Sequence, residues 1–324
     1  MRLSTEIKIE READISYESK IMMFGSCFSE NIGEKLSQLK FNVSNNPLGI
    51  LFNPCSILQT IERIVSYNPF VKEDLFCRDD VWNSFHLHSK FARLDAETYL
   101  ENANHQLAQS HEFMKEATHL FITLGTAWVY EYAANGLIVA NCHKEPSGRF
   151  VRKRLSEEEA TQTLQKIIET VQTINPNISV TFTVSPIRHW KDGAHGNQIS
   201  KATLLLAVDN ILQENPSTHY FPAYEIMMDE LRDYRFYAED LIHPNELAIE
   251  YIWEKFRDCR ISDKTTEEMK EVRKIIDAIN HRPYNPQSKV YQEFKANTLT
   301  NLQALKEKLP LLDWNEELKK LLSE

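Results

Sequence analysis

Two short segments hold residues whose types and spacing suit covalent acyl chemistry. Ser26 lies in Phe24-Gly25-Ser26-Cys27-Phe28-Ser29, which closes an apolar run and opens an amphipathic stretch. Asp240 and His243 lie in Asp240-Leu241-Ile242-His243-Pro244, which leads into a second helical pattern. A neutral hydroxyl is a weak nucleophile and needs a base. His243 can take the Ser26 proton and return it to a leaving alcohol. Asp240, three residues earlier, can reach the other ring nitrogen and fix the tautomer. The order Ser…Asp…His is one of several in which such triads occur, because roles and geometry define them. Taken singly, each group has a plainer reading: Ser26 as a helix N-cap, and Asp-x-x-His-Pro as the end of a loop. The two blocks together favour catalysis.

Other reactive side chains carry less. Cys27 adjoins a helix start, where a thiolate can be active. Neighbouring side chains on a strand point to opposite faces, so Ser26 and Cys27 do not both face one cleft, and Cys27 reads as a small buried hydrophobe. His86-Leu87-His88 and the pair His189 and His195 raise a metal reading, but neither set has an acidic partner or an H-E-x-x-H helix. No metal or cofactor is expected. Trp82, Phe85, Trp128 and Trp190 can line a pocket, although each singly reads as core.

Alternating strands and helices must position these groups. Residues 20–25 read as a short buried strand, followed by helical spacing of Ile32, Leu36 and Leu39. Residues 41–45 read as a second strand. The segment 46–54, bracketed by Asn-Pro pairs, is an ordered loop, with a helix over 55–65 after it. Residues 82–93 alternate weakly, as an excursion. A helix over 95–117 precedes a central strand at 119–125. Residues 128–133 and 137–141 flank Asn135-Gly136 and predict a hairpin with a type I′ turn. Ser156 with Glu159 is a capping box opening a helix over 156–174. A strand over 178–184, a helix over 196–214 and a strand over 218–223 follow. The last helix of this part spans 245–257, with Pro244 at its first position. This alternation implies a mainly parallel sheet with helices on both faces and ligands at the carboxyl ends of the strands. Past residue 262 the pattern becomes charged helices broken by His281-Arg282-Pro283-Tyr284-Asn285-Pro286. The expected division is therefore a catalytic domain over 1–261 and a helical extension over 262–324, which can act as a homodimer surface or a lid.

Composition sets the outer bounds. The chain has 324 residues, 42% of them hydrophobic, enough for a large core, and a formal net charge of −10. That charge argues against nucleic acid or an anionic membrane as partner. Five scattered cysteines without C-x-x-C spacing argue against a disulfide framework or a structural zinc. With no apolar signal segment and no membrane-length run, a cytoplasmic location is expected.

Gly25-Ser26-Cys27-Phe28-Ser29 resembles the signature of the GSCFA family, with Ser29 in place of the terminal alanine. That bacterial family lies within the SGNH/GDSL-like hydrolase group. The resemblance runs from about Gly25 to Phe256 and includes Asn46-Pro47-Leu48-Gly49-Ile50, Leu124-Gly125-Thr126-Ala127-Trp128 and Thr183-Val184-Ser185-Pro186-Ile187-Arg188-His189. It implies a three-layer α/β/α sandwich with a flavodoxin-like sheet and esterase or acyltransferase chemistry through an acyl-enzyme on Ser26. The substrate implied is a small acyl ester, acetyl above all, of a small molecule or a carbohydrate. Asp240 and His243 match the last block, and Gly49 the oxyanion glycine of the second. The third block departs: Gly125-Thr126-Ala127 stands where Gly-x-Asn-Asp is usual, so the asparagine donor is missing. Thr126 can replace it through its N–H or hydroxyl, or be an ordinary turn residue. Arg188 or His189 can bind a carboxylate or sugar hydroxyl of the substrate, or hold a turn. The alternative from another class is a catalytically silent binding or scaffold protein on the same fold.

Overall fold

The apolar run Lys20-Ile21-Met22-Met23-Phe24-Gly25 forms the first strand, with its last five residues buried. A strand buried on both faces must be covered by helices on both. His119–Leu124 is buried at all six positions, and Ser179–Val184 at all but its first. The protein is described from a computed structural model over residues 5–323.

In chain order the elements are β1 (Lys20–Gly25), α1 (Cys27–Gln38), β2 (Asn42–Asn45), α2 (Pro54–Val65), β3 (Phe76–Arg78), β4 (Val81–Asn83), α3 (Ala96–Glu116), β5 (His119–Leu124), β6 (Trp128–Tyr132), β7 (Phe150–Arg154), α4 (Glu157–Gln172), β8 (Ser179–Val184), α5 (Gly193–Glu214), β9 (Thr218–Tyr220), the single turn α6 (Ala223–Glu225), α7 (Glu246–Arg260), α8 (Asp263–Asn280), α9 (Lys289–Lys308) and α10 (Asn315–Ser323). The central sheet has the order β2-β1-β5-β8-β9. β1, β5, β8 and β9 run parallel, with Gly25 opposite Thr123 and Leu124 opposite Val184. This is the mainly parallel, helix-covered sheet expected from the sequence. Because β2 lies on one side of β1 and β5 on the other, the chain changes direction between β1 and β5. Their carboxyl ends flank the crevice where such sheets place ligands.

The chain divides into two compact units. One is built from Lys20–Glu34 and Val43–Trp253 with an N-terminal segment ending at Ile9; the other comprises Glu10–Ser19, Lys35–Asn42 and Glu254–Glu324. The core of the first runs from Met22 and Phe24 through Ile57, Leu107, Ile122, Ile167 and Phe182 to Ile211. In the second, the buried Arg260 guanidinium bridges Glu12 at 2.8 Å and Asp14 at 2.9 Å. Tyr17 stacks on Phe41 there, and the Lys40 ammonium lies 5.4 Å from the Trp314 ring.

The capping box at Ser156 and Glu159 forms, each side chain bonding the other's backbone N–H. The expected hairpin forms in part: Tyr132 N–H meets the Leu137 carbonyl at 2.7 Å, Val139 N–H meets the Tyr130 carbonyl at 2.8 Å, and Glu131 bridges Ile138 antiparallel. Its turn is not type I′, which needs positive φ at both central residues: Gly136 has φ +75° and Asn135 does not. β6 also pairs with β7, antiparallel over Trp128–Tyr132 and Phe150–Arg154, where Phe85, Tyr132 and Phe150 cluster. The residues around 76–83 form a second small hairpin, β3 with β4. Pro244 precedes α7 rather than opening it: Asn245 caps the helix, its side-chain oxygen accepting from Ala248 N–H at 3.1 Å. Among the described residues, no helix is long and apolar enough to cross a membrane.

Candidate active site

β1 ends on Gly25, where φ is +128° and a Cβ would lie 2.2 Å from the Thr123 carbonyl oxygen. Only glycine fits both the backbone conformation and the space. Ser26 follows at once. Its N–H reaches the Thr123 carbonyl at 3.3 Å, and its own carbonyl accepts from Glu30 N–H, opening α1. The Ser26 side chain is buried, and its Oγ has no hydrogen-bond partner. Ser29, in place of the signature alanine, uses its hydroxyl on the Phe24 carbonyl at 3.0 Å and on Thr123 Oγ1 at 2.6 Å, tying the helix start to both strands. Cys27 is half-buried, and burial, with the Glu30 carboxylate second, pushes its thiol up and away from the reactive thiolate.

Asp240 and His243 sit on one tight loop. Asp240 Oδ1 accepts the backbone N–H groups of Ile242 at 2.9 Å and His243 at 3.0 Å, and Oδ2 meets His243 Nδ1 at 2.6 Å. The loop reverses through Leu241, whose φ is +57°, and is closed by Ala238 N–H on the His243 carbonyl. The His243 backbone N–H bond first, and then its ring, hold the Asp240 carboxyl down at about 2. Asp240 therefore remains a carboxylate that favours the proton on Nδ1, which makes Nε2 the acceptor nitrogen of a neutral ring. Pro244, next in the chain, lines a cavity of about 10 Å³ with Phe28, Asn31, Ile32, Pro186, Ile187, Ile249 and Ile252. The histidine loop, the first turn of α1 and the segment after β8 thus converge. Ser26 and His243 are not hydrogen-bonded to each other: the serine is buried, while the His243 side chain is 49% exposed.

Gly49 has φ +104°, and a Cβ there would lie 2.1 Å from His88 Cβ. Its N–H goes to the Asn46 carbonyl. Thr126 gives its N–H to the Phe52 carbonyl at 2.9 Å, while its hydroxyl pairs with Ser200 Oγ and accepts from Trp128 N–H. The backbone donors of Gly49 and Thr126 are thus already engaged. Arg188 is half-buried, and its guanidinium has the Met228 thioether, at 3.6 Å, as its side-chain contact. His189 gives its backbone N–H to Asn197 Oδ1, and its ring meets Phe52 edge-on. Burial first, then the Lys201 charge, lower its imidazole to about 4, so it is neutral near pH 7.

Sequence reading passed over two residues here. Asn46, at the end of β2, accepts Gly25 N–H on Oδ1 at 2.9 Å. Lys201, on α5, is fully buried and places its Nζ 2.6 Å from the carbonyls of both Gly125 and Ser185. Burial, with Arg188 second, lowers this amine to about 7. A lysine in helical register with Leu204, Val208 and Ile211 was the available signal. His86 and His88 do not share a site: His86 faces Asp74 at 3.7 Å, whereas His88 covers Gly49. Phe85 stacks on Phe76 in the aromatic cluster, Trp128 lies under Arg152, and Trp190 is exposed.

No curated protein matches the chain. Among solved structures, it is similar to a mutant acetyl esterase crystallised with an acetate ion, at 12% identity and a TM-score of 0.36, over 78% of this chain and 99% of that one. The model of the GSCFA domain protein C-terminal domain matches residues 272–324. The GSCFA family model matches residues 20–256, and the chain belongs to the GSCFA family.

Proposed function

We propose that this protein is a serine-dependent carboxylic-ester hydrolase or acyltransferase that forms an acyl-enzyme on Ser26. The observation that carries the reading is the 2.6 Å Asp240–His243 pair, on a loop whose Pro244 shares a cavity wall with Phe28 of the Ser26 turn. In the reaction, His243 Nε2 takes the Ser26 proton as Oγ attacks the ester carbonyl carbon. The carbonyl π pair moves to oxygen, then returns as the alkoxy group leaves with the proton from His243. Water, or a sugar hydroxyl in the transferase case, repeats the sequence in reverse. Every proton and electron pair is supplied by side chains and substrates, so the cycle needs no cofactor. The Ser26–His243 bond would form as substrate settles, since such bonds are often loose in the free enzyme.

The half-buried Arg188 and the neutral His189 suit an oxygen-rich acyl acceptor, and a small acyl group, acetyl above all, is what the family resemblance implies. The unjoined Ser26 and His243 also favour a second reading, a silent binding protein on the same fold. Turnover of a short-chain aryl ester by wild type, Ser26→Ala and Cys27→Ala separates them. Activity lost only with Ser26→Ala is the expected result. Activity lost only with Cys27→Ala would make a thiol the nucleophile, and no turnover or fluorophosphonate labelling in wild type would favour the silent binder.

A further inference from the structure

We infer that Asn46 supplies the side-chain oxyanion donor that the third block lacks. The inference rests on Ser26 as nucleophile. A tetrahedral oxyanion needs donors placed in advance, in a site closed to water. The backbone donors expected at Gly49 and Thr126 are given to the Asn46 and Phe52 carbonyls, and the Thr126 hydroxyl is paired with Ser200 Oγ and Trp128 N–H. Asn46 is different. Its side chain is 4% exposed, its Oδ1 is held by Gly25 N–H at 2.9 Å, and its Nδ2 has no partner. The Gly25 N–H settles which end of the amide is oxygen, because a flipped amide would set two donors against each other. A buried amide is thus anchored by its oxygen to the residue that precedes the nucleophile, with its Nδ2 left without a partner.

A buried donor without a partner costs stability and calls for an explanation. The backbone around it is built to keep the side chain there. Asn46 N–H bonds the Met23 carbonyl, its φ is +44°, a region asparagine tolerates, and the Lys90 ammonium holds its carbonyl at 2.9 Å. When Ser26 Oγ attacks, the carbonyl oxygen gains the electron pair, and Asn46 Nδ2–H donates to it. The bond is released when the carbonyl re-forms. A second buried amide with an unpartnered Nδ2, Asn197, is held by the His189 backbone instead and is the competing donor.

Asn46→Asp keeps the acceptor for Gly25 N–H and removes the donor. In aryl-ester turnover, kcat should fall about 10²–10³-fold with KM nearly unchanged, the size seen for loss of one oxyanion donor. A kcat within threefold of wild type, where Ser26→Ala abolishes turnover, would overturn the Asn46 assignment alone. So would a comparable fall in Asn197→Asp with Asn46→Asp unaffected. If wild type shows no Ser26-dependent turnover, the nucleophile reading falls and this one with it. Should Asn46→Asp not fold, the crystal structure of wild type phosphonylated at Ser26 decides: Asn46 Nδ2 in hydrogen-bond contact with the phosphonyl oxygen supports the inference, and any other partner for that oxygen overturns it.

Discussion

Replacing Lys201 by methionine tests how the ends of β5 and β8 are held. The amine of Lys201, 1% exposed, is lowered from 10.5 to about 7, with burial the main cause. For a base whose folded value is depressed, the charged form is disfavoured in the fold. The resulting loss of stability is complete below about pH 7 and fades as pH rises towards 10.5. At 1.36 kcal/mol per unit, that loss is about 5 kcal/mol at low pH. The neutral amine still has two N–H donors, so both carbonyl bonds survive deprotonation. Lys201→Met removes the penalty but strands the Gly125 and Ser185 carbonyls, at about 1–3 kcal/mol each regardless of pH. The two effects nearly cancel around neutrality, so one stability value decides little. The pH dependence decides: wild type should gain about 2–3 kcal/mol on the variant between pH 8 and 10, and almost nothing between pH 5 and 6. Urea unfolding of both proteins across that range is the assay. Parallel stability curves would refute the reasoning, because they would mean that Lys201 titrates alike in the folded and unfolded chains.

Other predictions concern the site more directly. Under the proposed mechanism, His243→Ala should lower kcat by about 10³-fold or more, and Asp240→Asn by a similar order through the wrong tautomer, both read as ester turnover with the fold unchanged by circular dichroism. Because Asp240 is held at about 2, the acid limb of the rate profile should not belong to it: loss of activity with a midpoint near pH 2 alone would contradict the arrangement. Gly25→Ala should destabilise by several kcal/mol, about 3 or more, through strain and the Thr123 contact, seen as a lowered Tm or insolubility. In timed alkylation, the exposed Cys77 should react well before Cys27, whose thiol is pushed up by burial; faster labelling of Cys27 would reopen the thiol mechanism.

By itself the sequence determined what is local. Residue type and short spacing carry the Asp240–His243 pair, the capping box at Ser156 and the glycine before Ser26, because each is settled within about one turn of chain. Apolar runs buried on both faces likewise reveal the parallel strands. What the tertiary structure alone decided is long-range register. Asn46 comes to Gly25 because β2 lies beside β1, and Lys201 reaches Gly125 and Ser185 because α5 crosses the ends of β5 and β8. The pairing of β7 with β6, and the joining of residues 10–19 and 35–42 with the C-terminal helices, are of the same kind. Such pairings depend on which distant surfaces bury most together, and no window along the chain contains that comparison.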